Sequence, residues 1–170
     1  LDVLTQVVDA LQHAHEQGII HGDLNPNNIF LCSEQKVKVS GFGLSTAESI
    51  LREISPDFRK APSNYLSPEQ LAGQNPNEQS DTYALGLIIF ELLTGLTPEK
   101  LRQTPPNTLE EYIDQISQEI PKSFIETLRK AISYEPRSRF ITPIAFRSAM
   151  NPQTPQGSGK NTNMDFNPKT

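Results

Sequence analysis

The chain has 170 residues, a length that one packed domain with a single hydrophobic core accommodates. Hydrophobic residues make up 35% and charged residues 21%, which is a globular composition, and 14 prolines against 9 glycines indicate many loops. The net charge of −5, without clusters of Lys and Arg, argues against nucleic acid or an anionic membrane as a partner, and no apolar run reaches the roughly 18 residues that span a bilayer.

The chain begins inside a predicted helix. Apolar residues recur at helical spacing from Leu1 to Ala14, which predicts an amphipathic helix that ends near Gly18. Because the sequence starts at Leu1 within this helix and carries no charged-then-apolar leader, we expect a fragment of a cytoplasmic protein. His13 and His15 are two residues apart and do not share a helix face, so no metal site is predicted there.

A polar loop and a hairpin follow the first helix. Residues 19–28 mix Gly, Pro and three Asn residues, a composition typical of an ordered loop that carries polar groups. Short β-prone runs at residues 29–32 and 36–40 flank residues 33–35, which predicts a small β-hairpin. Cys32 is the only cysteine, and its apolar neighbours predict a buried small hydrophobic residue.

The second half of the chain is predicted to be helical. Four prolines between residues 41 and 76 interrupt any long periodicity, so this segment is expected to be irregular. A central buried helix follows, capped by Asp81, with an apolar face that includes Leu92 and with Gly95 just past its end. Further helices are predicted over about 109–118, 121–133 and 142–150. Residues 151–170 contain few apolar side chains and are predicted to form a disordered tail.

Several motifs occur in a fixed order along the chain. The loop reads His21-Gly22-Asp23-Leu24-Asn25-Pro26-Asn27-Asn28. Downstream come Gly41-Phe42-Gly43-Leu44, Tyr65-Leu66-Ser67-Pro68-Glu69, Asp81-Thr82-Tyr83-Ala84-Leu85-Gly86 and Pro136-Arg137-Ser138-Arg139-Phe140. The loop resembles the His-Arg-Asp catalytic loop of protein kinases, and the later motifs resemble that family's Asp-Phe-Gly, Ala-Pro-Glu, central-helix and late-arginine motifs. Residues 1–150 are thus similar to the C-terminal lobe of Hanks-type serine/threonine protein kinases.

The resemblance implies a mainly α (α+β) fold, a protein-kinase-like C-terminal lobe with a small β-hairpin and no N-terminal lobe. It places a catalytic loop at residues 19–28, an activation segment at 41–69 and the central helix at 81–94. In the family, the residue at Asp23 accepts the proton of the substrate hydroxyl, and the residue at Asn28 holds Mg²⁺ on the ATP phosphates. The implied structural residues are His21, Phe42, Gly43, Glu69, Asp81 and Arg139, with Asp81 bracing the loop and Glu69 paired with Arg139.

The positions that would handle phosphate differ from the family pattern. Gly41 stands where the family has the aspartate that binds Mg²⁺, and glycine offers no carboxylate. Asn25, at a nucleotide-side position, replaces a lysine that contacts the transferring phosphate. Pro62 replaces a threonine that positions the catalytic aspartate, and Gly22 replaces an arginine that reads an activation-loop phosphate. These differences predict that ATP and Mg²⁺ binding is weak or absent and that Asp23 is idle.

Three hypotheses follow from the residues and the resemblance together. The first is a pseudokinase-like lobe that acts as an interaction or regulatory module on protein partners. The second is a fragment of a divergent active serine/threonine kinase, which transfers the γ-phosphate of ATP to a protein hydroxyl. The third is a truncated chain that scarcely folds, because its ATP-facing surface is uncovered. The loop alone also resembles aminoglycoside and choline phosphotransferases, which lack the three downstream groups of motifs.

Overall fold

A computed structural model describes residues 2–44, 47, 50–51, 54–55, 63–103 and 120–150 of the chain. Helix α1 spans Asp2–Glu16. It buries Val7, Val8 and Leu11, which lie on the face that the apolar spacing predicts. Gly18 has a φ of +70° just past the helix, so the predicted left-handed ending at this glycine is confirmed.

A two-stranded antiparallel sheet follows the polar loop. Strands β1 (Ile29–Leu31) and β2 (Val37–Val39) pair with Ile29 opposite Val39. Gln6 of α1 fixes the hairpin, since its side chain donates to the carbonyl of Gln35 at 2.9 Å and accepts the N–H of Val37 at 2.8 Å. Cys32 is exposed, so the prediction that it is buried is wrong. Residues 30–36 are all exposed, because none of the elements that the structure describes covers this end of the hairpin.

Five further helices occur in the described part of the chain. They are α2 (Pro68–Leu71), α3 (Glu78–Thr94), α4 (Pro98–Gln103), α5 (Lys122–Ala131) and α6 (Pro143–Met150). The helices expected over 121–133 and 142–150 correspond to α5 and α6, and each is shorter than expected. The helix predicted over 109–118 and the tail predicted over 151–170 lie outside the described residues.

Helix α3 begins three residues earlier than the sequence pattern predicts. Its cap is Asn77, whose side-chain oxygen accepts the N–H groups of Gln79 at 2.9 Å and Ser80 at 3.1 Å. The prediction that Asp81 caps this helix is therefore wrong. Asp81 lies within the first turn and does not cap the helix. Its carboxylate instead accepts hydrogen bonds from His21 and Gly22, which lie outside the helix.

Helix α3 forms the buried centre of the fold. Residues 80–90 are buried without a break, so the helix is surrounded on all sides rather than along one stripe. Leu92 is 80% exposed, and its predicted place on the buried face is wrong. The next residue, Leu93, packs against the core instead. Gly86 lets α5 approach closely, since a Cβ there would lie 2.8 Å from Cγ2 of Ile132 and 3.1 Å from Cβ of Ala131.

One hydrophobic core joins these elements. Helix α1 packs against α6 and β2, and α3 packs against α5 and α6. The core residues with the lowest exposure include Val8, Leu11, Leu24, Leu128 and Phe146. A mainly α fold with a small β-hairpin is thus confirmed. The polar loop lies over this core, with Leu24 buried beneath it.

None of the helices that the structure describes is both long and apolar enough to cross a lipid bilayer.

Candidate catalytic site

A carboxylate of α3 holds the polar loop from beneath. The side chain of Asp81 is 1% exposed and accepts the backbone N–H of His21 at 2.9 Å and that of Gly22 at 2.8 Å. Both amides are buried, and each would lose a hydrogen bond without this acceptor. A charged acceptor makes stronger bonds than a neutral one, so Asp81 sets the backbone path at the start of the motif.

His15 adds a third contact to the same carboxylate. Its Nε2 lies 2.7 Å from Oδ2 of Asp81, and its side chain is 1% exposed. From the sequence alone, His15 is considered only as a metal ligand together with His13, and this contact is not predicted. A signal was present, because Leu11 and His15 are four residues apart on the buried face of α1.

His21 connects the loop to the segment after β2. Its Nε2 donates to the carbonyl of Ser40 at 2.9 Å, and its ring packs on Phe42 with the centroids 4.8 Å apart. The bond to a carbonyl requires the proton on Nε2, so Nδ1 is left to accept the N–H of Asp23 at 3.3 Å. The ring of His21 therefore has structural partners on both nitrogens.

The side-chain amides of the loop converge on the backbone of Asp23. Nδ2 of Asn25 lies 2.8 Å from the Asp23 carbonyl oxygen, and Nδ2 of Asn28 lies 2.9 Å from it. Oδ1 of Asn25 accepts the N–H of Asn27 at 3.1 Å and so caps a 3-10 helix at Pro26–Asn28. Asp23 supplies the only carboxylate of residues 19–28, and its residue is half-buried.

Gly41 lies against Asn28. Its φ is +89°, and a Cβ at this position would lie 3.3 Å from Nδ2 of Asn28. The N–H of Ser40 donates to the carbonyl of Asn28 at 2.9 Å, which holds the two segments together. Among the described residues, no three His, Cys, Asp or Glu side chains are grouped so that they could hold a metal ion. Pro62, the other changed position of this segment, lies outside the described residues.

Glu69 and Arg139 form a buried ion pair with two N–O distances of 2.8 Å. Burial alone would raise the pKa of Glu69, but hydrogen bonds from Arg139, the backbone and Ser80 hold that pKa at about 2, below the ordinary 4.5. Arg139 also donates to the carbonyls of Ser133 at 2.7 Å and Tyr134 at 2.8 Å. The charges of the pair are therefore compensated and hydrogen-bonded.

The segment before α2 is fixed to α3 and α4. The hydroxyl of Tyr65 donates to the carboxylate of Glu91 on α3. Burial and then this hydrogen bond raise the pKa of Tyr65 well above its ordinary value. Arg102 of α4 donates to the carbonyl of Leu66 at 3.1 Å. The sequence reasoning named none of these side-chain contacts.

Comparison with known proteins agrees with this arrangement of loop, segment and helix. The protein kinase domain family matches residues 2–150, and the chain belongs to that family, in its Hanks-type serine/threonine class. The match extends through all the downstream motifs, so the chain is assigned to the protein kinases and not to the aminoglycoside or choline phosphotransferases that the loop alone also resembles.

Relatives are found among bacterial kinases. The chain is 34% identical over 148 residues to the probable serine/threonine-protein kinase PknB of Lactococcus lactis, across 82% of this chain and 23% of that protein. It is 41% identical over 98 residues to the serine/threonine-protein kinase PrkC of Bacillus subtilis, across 58% of this chain and 15% of that protein. The PknI kinase domain of Mycobacterium tuberculosis matches with a TM-score of 0.64 and 29% identity, over 89% of this chain and 53% of that domain. This chain therefore corresponds to part of a kinase fold.

Proposed function

We propose that this chain is the C-terminal lobe of a pseudokinase-like domain that acts as an interaction or regulatory module on protein partners. The observation that carries the proposal is Gly41, which lies beside Asn28 and has no side chain. Kinases of this family use ATP with Mg²⁺, and Mg²⁺ is held in such sites by one or two carboxylates together with phosphate oxygens.

The residues around Asn28 do not fit a magnesium ion that bridges ATP phosphates. The Nδ2 of Asn28 is engaged with the Asp23 carbonyl, which leaves one uncharged oxygen as a ligand from this side chain. Gly41 supplies no ligand where a carboxylate is needed. We therefore expect Mg²⁺ and ATP to bind weakly or not at all, and Asp23 to be idle as a base.

The position of Asn25 supports the same conclusion. A neutral amide stands where the family has a lysine, so positive charge is lost where phosphate charge must be stabilised. Both polar atoms of the Asn25 side chain are used within the loop, at 2.8 Å from the Asp23 carbonyl and 3.1 Å from the N–H of Asn27. The side chain thus serves the loop's own conformation.

An apolar stretch on β1 supports a role in protein contacts. Phe30 is 51% exposed and Leu31 is 72% exposed, and the two residues follow Ile29 at the start of β1. Successive side chains of a strand point to opposite faces, so these two residues expose apolar surface on both faces of the hairpin, where another protein or another domain can pack. The proposal therefore joins a recognition surface with a phosphate site that lacks its metal ligand.

The test is Mg²⁺-dependent ATP binding by the full-length protein, measured by calorimetry with MgCl₂ and ATP. Gly41→Asp places a carboxylate beside Asn28, where it can bind Mg²⁺ directly, and is expected to tighten Mg²⁺-dependent binding at least about tenfold. Gly43→Asp is the matched control, because its φ of +73° imposes similar backbone strain while no atom lies within 4 Å of its Cβ position. Equal effects of the two substitutions would count against the proposal.

A second candidate, a divergent active serine/threonine kinase, is favoured by one specific observation. Asp23 and Asn28 are both retained and hydrogen-bonded to each other, in a loop that Asp81 holds. Its test is phosphate transfer from ATP to a protein hydroxyl by the full-length protein. Mg²⁺-dependent transfer that Asp23→Asn abolishes would establish this candidate and refute the pseudokinase proposal.

A further inference from the structure

The backbone of Gly22 is hydrogen-bonded on both sides to other elements of the fold. Its N–H donates to Oδ1 of Asp81 on α3 at 2.8 Å. Its carbonyl oxygen lies 2.6 Å from Nε2 of Gln70, a half-buried residue of α2. Gly22 therefore joins the catalytic loop to α3 through one bond and to the end of the 41–69 segment through the other.

The orientation of the Gln70 amide is fixed by its neighbours. Oε1 accepts the N–H of Ser67 at 3.1 Å and lies 3.0 Å from the Ser67 hydroxyl oxygen. Ser67 is fully buried and belongs to the capping box of α2. Since the oxygen must face the Ser67 N–H, the nitrogen must face the Gly22 carbonyl. The contacts with Ser67 at the cap of α2 thus orient Nε2 of Gln70 toward the Gly22 carbonyl.

Gly22 can bond to the rest of the fold only through its backbone, because glycine has no side chain. Its φ is +75°, in the left-handed region where residues with a Cβ are strained. The family's phosphate-reading arginine stands at this position, and here it is replaced by a residue without charge. The hydrogen bond between the Gln70 amide and the Gly22 carbonyl joins two neutral groups.

We propose that Gln70 is a positioning residue that couples the end of the 41–69 segment to the catalytic loop, through a neutral bond that requires no phosphate. This goes beyond the proposed function, because it concerns the conformation of the loop and holds with or without Mg²⁺. Loop geometry is then set when α2 folds against the lobe, and an added charge on the segment is not needed to order it.

The first variant is Gln70→Glu, which is nearly the same size and keeps an oxygen to accept from Ser67. It replaces the donor nitrogen by an oxygen that faces the Gly22 carbonyl. Amide hydrogen exchange of His21, Gly22 and Asn28 is measured in the full-length protein at neutral pH. Exchange at these amides is expected to accelerate about tenfold or more, while the thermal unfolding midpoint changes by only a few degrees.

A pH series separates lost donation from general loosening. Below a pH of about 4.3, an introduced carboxyl group takes up a proton and can again donate to the Gly22 carbonyl. The ratio of variant to unaltered exchange rates is therefore expected to fall toward one in acid. Gln79→Glu is the matched control, since Nε2 of Gln79 donates to the carbonyl of Pro136 at 2.9 Å, away from the loop. It should leave the three amides unchanged.

Several results would overturn the inference. These are unchanged exchange at the three amides in Gln70→Glu, an equal acceleration in Gln79→Glu, or a ratio that does not vary with pH. Should Gln70→Glu lose cooperative unfolding, Gln70→Met removes the donor without adding charge and is measured in the same way. None of these readouts depends on Mg²⁺ or ATP, so they succeed or fail independently of the proposed function.

Discussion

Glu69→Gln removes the negative charge from the buried pair and leaves the guanidinium of Arg139 without its counter-ion. The side chains of Glu69 and Arg139 are 5% and 0% exposed, so water cannot take over the lost contact. Breaking a buried pair from one side costs about 3–5 kcal/mol. The depressed pKa of Glu69 gives a similar free energy, because a fall in pKa from 4.5 to about 2 corresponds to about 3 kcal/mol of stabilisation.

The assay for Glu69→Gln is urea unfolding followed by circular dichroism, with linear extrapolation to water. Glu34→Gln is the control, because Glu34 and Lys36 are 75% and 69% exposed at a distance of 2.8 Å. A surface pair of this kind contributes at most about 1 kcal/mol. A loss below about 1 kcal/mol for Glu69→Gln, or one equal to that of the control, would refute the reasoning. A non-cooperative transition in the unaltered chain would instead favour the hypothesis that it scarcely folds.

Two further predictions concern the same core. The pKa of Glu69 is lower in the folded state, so its stabilisation is complete above about pH 4.5 and is lost as the pH falls toward about 2. Urea midpoints measured across this window should fall for the unaltered chain and fall less for Glu69→Gln; parallel curves would contradict the assignment. Gly86→Ala is expected to cost about 1–3 kcal/mol, because its Cβ would lie 2.8 Å from Ile132. In a double-mutant cycle, Ile132→Ala should remove the destabilisation that Gly86→Ala causes through this contact. Strictly additive changes in the free energy of unfolding would show that the contact between residues 86 and 132 is unimportant.

The sequence predicts the elements whose signals are local. Apolar spacing places α1, α5 and α6, and glycines mark the ends of α1 and α3 because a left-handed residue suits glycine. Motif order brings together pairs that are distant in the chain, such as Glu69 with Arg139 and Gly41 with Asn28. These pairs rest on the resemblance to a family, since no local rule joins residues 70 positions apart.

The wrong predictions have a common physical origin. Asp81 and Asn77 are both good capping residues, and only the hydrogen bonds from the N–H groups of Gln79 and Ser80 to the Asn77 side chain show that Asn77 takes this role. Leu92 and Cys32 have apolar neighbours, but burial depends on what covers them, and none of the described residues covers either one. Single-sequence patterns describe an element, and they carry no information on the elements that pack around it.

Side-chain bonds between elements were likewise missed. Gln70 looks like an ordinary helix residue, and its donation to Gly22 exists only because α2 lies against the loop. His15 is similar, since its partner on α3 is 66 residues away. Such contacts follow from the tertiary arrangement, so they could be found only once the helices were placed.

The three donors that meet at Asp81 come from α1 and from the loop backbone, and none of them belongs to a side chain that would touch phosphate. The hydrogen bonds to Asp81 do not involve position 41, where the family has its metal-binding carboxylate. A substitution at Gly41 therefore changes what the outer surface can bind without removing a partner of Asp81, whereas Asn25 also holds the loop through its own side chain. A lobe built in this way can gain or lose a metal ligand at position 41 and still present the same loop to its surroundings.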